Sequence, residues 1–284
     1  NHVRELVNKK LEEKKSKKKI IEFLKNHLYI SEFIAEEIYD YFEKQYNLIG
    51  LPHTGKILVE KYTEGQKKYL LVSSMYGRRV NDALSRALAY IMGKNNKRDI
   101  EIGISDLGFY FAGEKLDIEK AFKKLNSKNV EEILKEAIEK TDILTKRFRH
   151  CATRSLMILR SYKGQNKSVR KQQMKSHFLI AAVKKISEDF PILKEAKREV
   201  MEDLMDVHNT QKVLRWIEKK KVKIDIQKSN LPSPFALHLL LQGRMDLLRM
   251  EDKQDFLKRM HQVYNEEINK KKRGFTENFL YNKK

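Results

Sequence analysis

"KILVEKYTEGQKKYLLVSSMYGRRVNDALSRALAYIM", residues 56–92, decides the architecture. "KILVEKY" and "KYLLVSSMY" read as two strands, and "TEGQK" between them is a loop of hairpin length containing Gly65. "GRRVNDALSRALAYIM" then changes period. Val80, Ala83, Leu84, Ala87, Leu88 and Ile91 share one face of an α-helix. A hairpin that runs into a helix sets the theme, and the flanking segments extend it. Downstream, "DIEIGISDLGFYFAG" (99–113) predicts a second hairpin turning around Ser105–Gly108. Upstream, "GLPHTG" (50–55) places Gly, Pro and Gly in six residues and marks a boundary.

Before that boundary, residues 1–47 read as helix broken near Tyr29–Ser31, with Ser31 as N-cap. Phe33, Ile34, Ile38, Tyr41 and Phe42 fall on one face of its second part. From Leu116 to about Trp216 the pattern is almost wholly helical. "VKIDIQ" (222–227) alternates like a further strand, and "LPSPFALHLLLQG" predicts a proline-started helix closed by Gly243. A last helix is expected near 253–269. The fold class expected is α+β: a small, mostly antiparallel sheet, with hairpins near 56–76 and 99–113 and a strand near 222–227, covered by a large helical layer. The boundaries expected are a helical connector at 1–50, a main domain at 51–270 and a basic tail at 271–284.

Charge narrows the partners. Sixty Lys+Arg against thirty-nine Asp+Glu give +21 over 284 residues, a balance that favours a polyanion. No apolar run approaches a membrane span, so no membrane partner is expected. A single cysteine, Cys151, excludes an intramolecular disulfide framework and a cysteine-cluster zinc site, and it fits a reducing, cytoplasmic setting.

The charge is also concentrated. Ile143 to Ser187 holds no acid and twelve basic residues, more than half of the net charge. "KRFRHCATRSLMILR" (146–160) carries four of its arginines on an amphipathic pattern. At about 100° per residue, Phe148, Cys151, Ala152, Ser155, Leu156 and Leu159 share an apolar face. Arg147 and Arg154 then lie on one flank, Arg149 and Arg160 on the other. An acid-free, arginine-rich run on helices points to phosphate, and Lys146, Lys163, Lys167, Arg170 and Lys171 extend it. "PILKEAKREVMEDLMD" (191–206) is the acidic counterpart. Glu195, Glu199, Glu202, Asp203 and Asp206 are expected to pair with arginines across a helix seam, so that one arginine flank is structural and the other faces phosphate. The competing reading makes them magnesium ligands or acid–base groups of a nuclease or glycosylase.

"YGRR" (76–79) is a second candidate contact, where Arg78 and Arg79 sit as a strand gives way to a helix N-terminus. An Arg78–Asp82–Arg86 ladder along the helix is the alternative there. Trp216, among Val213, Leu214 and Ile217, reads as a core or interface anchor rather than a platform for a base. No catalytic residue or metal ligand set is expected. The phosphate-loop pattern is missing, since "HTGKI" lacks an upstream glycine in register and has isoleucine where magnesium needs a hydroxyl. The histidines form neither H-x-x-x-H nor H-E-x-x-H, no G-x-S-x-G elbow is present, and Cys151 reads as a small core residue.

"LPHTGKILVEKY", "MYGRRVNDALSRALA", "KRFRHCATRSLMILRSYKG", "PILKEAKREVMEDLMD" and "LPSPFALHLL" followed by "MED", in this order and spacing, resemble the region C-terminal to the motors of Lhr-type (large helicase-related) superfamily 2 helicases, in their archaeal branch. That region is called the DEAD/H-associated domain, and the resemblance covers roughly residues 30 to 270. It implies a fragment of a longer chain, in which two RecA-like ATPase domains and a winged helix lie upstream and drive 3′→5′ translocation with ATP and Mg²⁺. The fragment itself is then expected to need no cofactor, not to hydrolyse ATP, and to bind DNA or RNA as a single strand.

Overall fold

The computed structural model describes residues 2–64, 67–96, 100–139, 141–166 and 168–242, together with positions 258 and 262. Lys167, Gly243, the 271–284 tail and, apart from those two positions, the expected 253–269 helix lie outside the described residues.

Three helices come first: α1 (His2–Glu12), α2 (Lys17–Leu28) and α3 (Glu32–Ile49). Strands β1 (Lys56–Glu64) and β2 (Lys67–Ser73) lead into α4 (Arg78–Asn96), followed by β3 (Glu101–Ser105) and β4 (Gly108–Gly113). Then come α5 (Ile118–Lys124), α6 (Val130–Glu139) and α7 (Asp142–Arg154). A short hairpin, β5 (Ser161–Tyr162) and β6 (Gln165–Asn166), precedes α8 (Val169–Ile186). Helix α9 (Pro191–Arg198) runs into a π-helical turn (Glu199–Leu204), and α10 (Val207–Glu218), β7 (Lys223–Lys228) and α11 (Leu237–Gln242) complete the described chain. The class is α+β, as the sequence implies.

The chain forms two compact units, each discontinuous in sequence. Unit 1 takes its described residues from 1–75, 107–114 and 223–284, and unit 2 from 76–106 and 115–222. In unit 1 the strands lie in the order β4-β2-β1-β7. β1 pairs antiparallel with β2 (Leu58 opposite Ser73), and β2 antiparallel with β4 (Ser73 opposite Gly108). β7 lies parallel to β1, with Lys56 opposite Lys223. Ile57, Leu58, Val59 and Glu60 are consecutive and all buried, the mark of a strand covered on both faces. At position 108 only glycine fits: φ is +157° and a Cβ would lie 2.1 Å from the Val72 carbonyl oxygen.

One core of unit 1 gathers Val7, Ile20, Leu24, Ala35, Phe42, Leu51 and Phe235. The "PSPFA" segment is tied down by polar contacts around Phe235. The Ser233 N–H and hydroxyl donate to the two Glu60 carboxylate oxygens at 2.8 and 2.6 Å. The Phe235 N–H donates to the Gln45 Oε1 at 2.9 Å, and the Tyr41 hydroxyl donates to the Pro234 carbonyl at 3.0 Å. Unit 2 packs the buried face of α4, namely Val80, Ala83, Leu84, Ala87, Leu88 and Ile91, as the sequence predicts. A second core there joins Leu144, Phe148, Cys151 and Ala152 of α7 to Val183, Leu193 and Ala196.

Several expectations need correction. The N-terminal helix breaks a first time at residues 13–16, where Lys14 has φ +51°. On α3 the buried residues are Ala35, Tyr39, Phe42, Gln45 and Ile49, whereas Phe33, Ile34 and Tyr41 are exposed. The inward face is therefore turned from the one the apolar residues alone suggest. Gln45 is accommodated because its amide N–H donates to the Gly50 carbonyl while its oxygen accepts from Phe235. Helix α7 ends at Arg154 rather than continuing to Arg160. Leu156 takes a left-handed φ of +60° and is 74% exposed, and Leu159 is also exposed. The following "SYKGQN" is a hairpin in place of helix, with Lys163 (φ +49°) and Gly164 (φ +76°) forming the two-residue turn. Helix α11 begins at Leu237, after Pro232 and Pro234 rather than at a proline.

Candidate nucleic-acid interface

Helix α7 places its arginines by the geometry that the sequence dictates for residues 142–154. Phe148, Cys151 and Ala152 bury one side, so Arg147 and Arg154 emerge together on a flank. There they meet Glu199 at the start of the π-helical turn. Arg147 Nη1 lies 3.2 Å from Glu199 Oε2, and Arg154 Nη2 donates to Glu199 Oε1 and to the Cys151 sulfur at 3.3 Å. Glu199 is only 4% exposed. Burial pushes its carboxyl up, but the two guanidiniums more than offset that and hold it below its ordinary value.

Arg149 takes the other side of α7, its Nη2 3.4 Å from His150 Nε2. The His150 imidazole is held below its ordinary pKa by burial and then by the positive charge of Arg149, Arg147, Arg160 and Arg154. Arg160 belongs to the segment after α7 rather than to the helix itself. After it in sequence come exposed Lys163 on the hairpin turn and exposed Arg170 and Lys171 in the first turn of α8, which Ser168 caps by accepting the Lys171 N–H at 3.4 Å. Among the described residues, Lys146, Arg149, Arg160, Arg170 and Lys171 make no ion pair. Position 167 lies outside the described residues.

The five carboxylates of 195–206 do not form one stripe. The π-helical turn, closed by the Met205 N–H on the Val200 carbonyl at 3.0 Å, inserts an extra residue and shifts the register. Glu199 alone turns inward to Arg147 and Arg154. Arg198 gathers Glu195 (2.7 Å), Glu202 (3.2 Å) and Asp203 (3.7 Å) on the exposed side. Asp206 caps α10 by accepting the N–H of Asn209 at 3.0 Å, and it also accepts the Asn209 side-chain amide at 2.7 Å.

A separate basic pocket of about 510 Å³ lies at the start of α4. Gly77, at φ +87°, switches the chain from β2 toward the helix and sets Arg78 and Arg79 on its rim. Arg78 donates to the Ile104 carbonyl at 3.2 Å and Arg79 to the Glu202 carbonyl, so the Arg78–Asp82 contact of the ladder reading does not form, while Arg86 pairs with Asp82. The far wall comes from α10: Asn209, Lys212 and Trp216. Trp216 is not a core residue. It is 42% exposed, with its ring 6.4 Å from that of Tyr76 at a 50° tilt. Burial pushes the Tyr76 hydroxyl up to about 12. Sequence reading missed Asn209, Lys212 and Trp216 as partners of "YGRR" because they lie some 130 positions away, and the i, i+3/i+4, i+7 spacing (209, 212/213, 216) that joins them spans mixed polar and apolar types.

Residues 51–236 match the family described as DEAD/H associated. The chain is 43% identical over 267 residues to the ATP-dependent helicase Lhr-Core of Methanothermobacter thermautotrophicus, covering 93% of this chain and 31% of that protein. It is 35% identical over 253 residues to the Lhr-Core helicase of Saccharolobus solfataricus, covering 86% of this chain and 29% of that protein. In fold it is similar to the Mycobacterium smegmatis helicase Lhr, solved bound to ssDNA and AMP-PNP, with a TM-score of 0.72, 23% identity, and coverage of 80% of this chain and 29% of that one. The chain thus spans less than a third of the length of these relatives. The sheet, the α7 arginine cluster and the "PSPFA" anchor all fall within the matched residues, and the chain belongs to the DEAD/H-associated family.

Proposed function

We propose that this chain is the C-terminal accessory domain of an Lhr-type ATP-dependent helicase and that it holds single-stranded DNA or RNA on a basic surface. The observation that carries the reading is the unequal fate of the four arginines between 147 and 160. Arg147 and Arg154 share the Glu199 carboxylate, whereas among the described residues Arg149 and Arg160 have no carboxylate partner, and exposed Lys163, Arg170 and Lys171 follow them in sequence. A concentration of exposed cations with few acids among them is the electrostatic footprint expected for binding a phosphate backbone. Lys146 on α7 and Arg78 and Arg79 at the α4 pocket add to it. The relatives named as helicases, and the neighbour solved with ssDNA, support the same assignment. ATP and Mg²⁺ belong to RecA-like domains upstream of this chain in the parent, next to a winged helix, and translocation runs 3′→5′.

The carboxylates weigh against a self-contained nuclease or glycosylase. Arg198 engages three of them, the α7 arginines a fourth, and Asp206 caps a helix. The test is to measure oligonucleotide affinity against salt together with ATP turnover. The chain alone is expected to bind without hydrolysing ATP. Arg149→Ala/Arg160→Ala should flatten the salt slope by up to about 0.7 per lost single-strand contact, while Arg147→Ala/Arg154→Ala should mainly lower Tm. Nucleic-acid-stimulated turnover by this chain, or equal effects of the two pairs on both measurements, would overturn the reading.

A further inference from the structure

The pocket at the start of α4 has a composition that phosphate binding alone does not require. Phosphate needs cations, and Arg78, Arg79 and Lys212 supply them. Arg78 and Arg79 are steadied by backbone carbonyls of Ile104 and Glu202, which fix a guanidinium without cancelling its charge. The nearby Asp206 carboxylate accepts both Asn209 hydrogen bonds and keeps its charge, which the Arg79 guanidinium helps to stabilise, so it offsets part of that one arginine. Asp106, also on the rim, is the remaining acid of the lining.

Beside these cations stands the chain's single tryptophan, with 42% of its surface open. An indole of that size is ordinarily covered, and its neighbours Val213 and Leu214 are buried. Tyr76 lies against it at 6.4 Å and 50°, too close and too tilted to admit a base between the rings, so Tyr76 holds the indole and leaves its remaining surface to a ligand. Cations within one pocket of an open, braced aromatic surface match a nucleobase together with its flanking phosphates.

We propose that this pocket is a base-stacking subsite for single-stranded nucleic acid, in which one base lies on Trp216 and the adjoining phosphates are held by Arg78, Arg79 and Lys212. It rests on the nucleic-acid reading above and makes a narrower claim, that a base as well as the backbone is recognised. The subsite is distinct in its residues from the α7–α8 surface, and it favours strands whose bases are unpaired, because a base within a duplex has no open face to offer.

Because Trp216 is the only tryptophan, its fluorescence reports this pocket alone. The 284-residue chain is titrated with a dye-labelled oligothymidylate and with an abasic strand of equal length, and both dye anisotropy and tryptophan emission are followed. The expected result is that oligothymidylate quenches emission with the midpoint seen in anisotropy. The abasic strand should bind without the quench and about five- to a hundredfold more weakly. Trp216→Leu should bring oligothymidylate down to the abasic affinity with little change in Tm, and Arg78→Ala/Lys212→Ala should flatten its salt slope. Binding by anisotropy with unchanged emission and equal affinity for the two strands would overturn the subsite while leaving the α7–α8 surface intact. Absence of binding to either strand would overturn both.

Discussion

Glu60 and Glu199 are both buried glutamates, and acid acts on them in opposite directions. Burial raises the Glu60 carboxyl to about 7, and the Ser233 hydrogen bonds offset this only in part. The unfolded chain loses that proton near 4.5, so between the two values the folded state holds the extra proton and rising pH favours unfolding. Relative to Glu60→Gln, the natural chain is expected to lose about 2.5 kcal/mol between pH 5 and pH 8, measured by denaturant melts. A flat difference across that range would show that Glu60 is ionised throughout. Glu199 has a lowered pKa, so its contribution is present above the ordinary carboxyl value and is lost as pH falls below it. At pH 7, Glu199→Gln should cost about 2 kcal/mol, less than a fully enclosed pair because the Arg154 side chain is more than half exposed. The same change is expected to strengthen oligonucleotide binding by freeing Arg147 and Arg154. Weaker binding by a folded variant would count against the division of labour between the two flanks.

At the level of elements, the stretches whose local pattern and tertiary role agree were legible. Helix α4 repeats its apolar residues at helical spacing and buries all of them, and the first hairpin is bracketed by its own loop signal. The failures share a cause, namely backbone states that side-chain periodicity does not encode. After Arg154 the apolar residues keep a helical spacing, yet Leu156 adopts αL and Ile158 alone turns inward. A left-handed leucine costs about 1–2 kcal/mol. Since Leu156 is exposed, Leu156→Gly should raise Tm by a few degrees, net of the extra freedom that glycine gives the unfolded chain, whereas Leu156→Ala should not. A gain from alanine equal to that from glycine would place the benefit in the side chain rather than in the backbone. The π-helical turn is likewise invisible to a count of 3.6 residues per turn. It is the reason that Glu199 parts company with Glu195, Glu202 and Asp203. The partnership of "YGRR" with α10 was hidden because it is wholly a matter of tertiary folding.

At the level of the whole molecule, the chain passes between the two units four times, at 75–76, 106–107, 114–115 and 222–223. Unit 1 is therefore incomplete until its last segment is present. A chain ending at Val222 loses β7 and, with Ser233 and Phe235, the partners of Glu60 and Gln45. It is expected to aggregate or to lose cooperative melting, as checked by light scattering and near-ultraviolet circular dichroism. A monomeric product that melts like the 284-residue chain would refute that expectation. The parallel pairing of Lys56 with Lys223 also sets a timetable for synthesis. At roughly 5–20 residues per second, a ribosome adds β7 about 10–30 s after β1 has been made. Throughout that wait β1 has β2 on one side and an open row of backbone donors and acceptors on the other, which is a template for pairing with a neighbouring nascent chain. On a crowded polysome, the strand that arrives last decides whether each new copy folds alone or joins its neighbour.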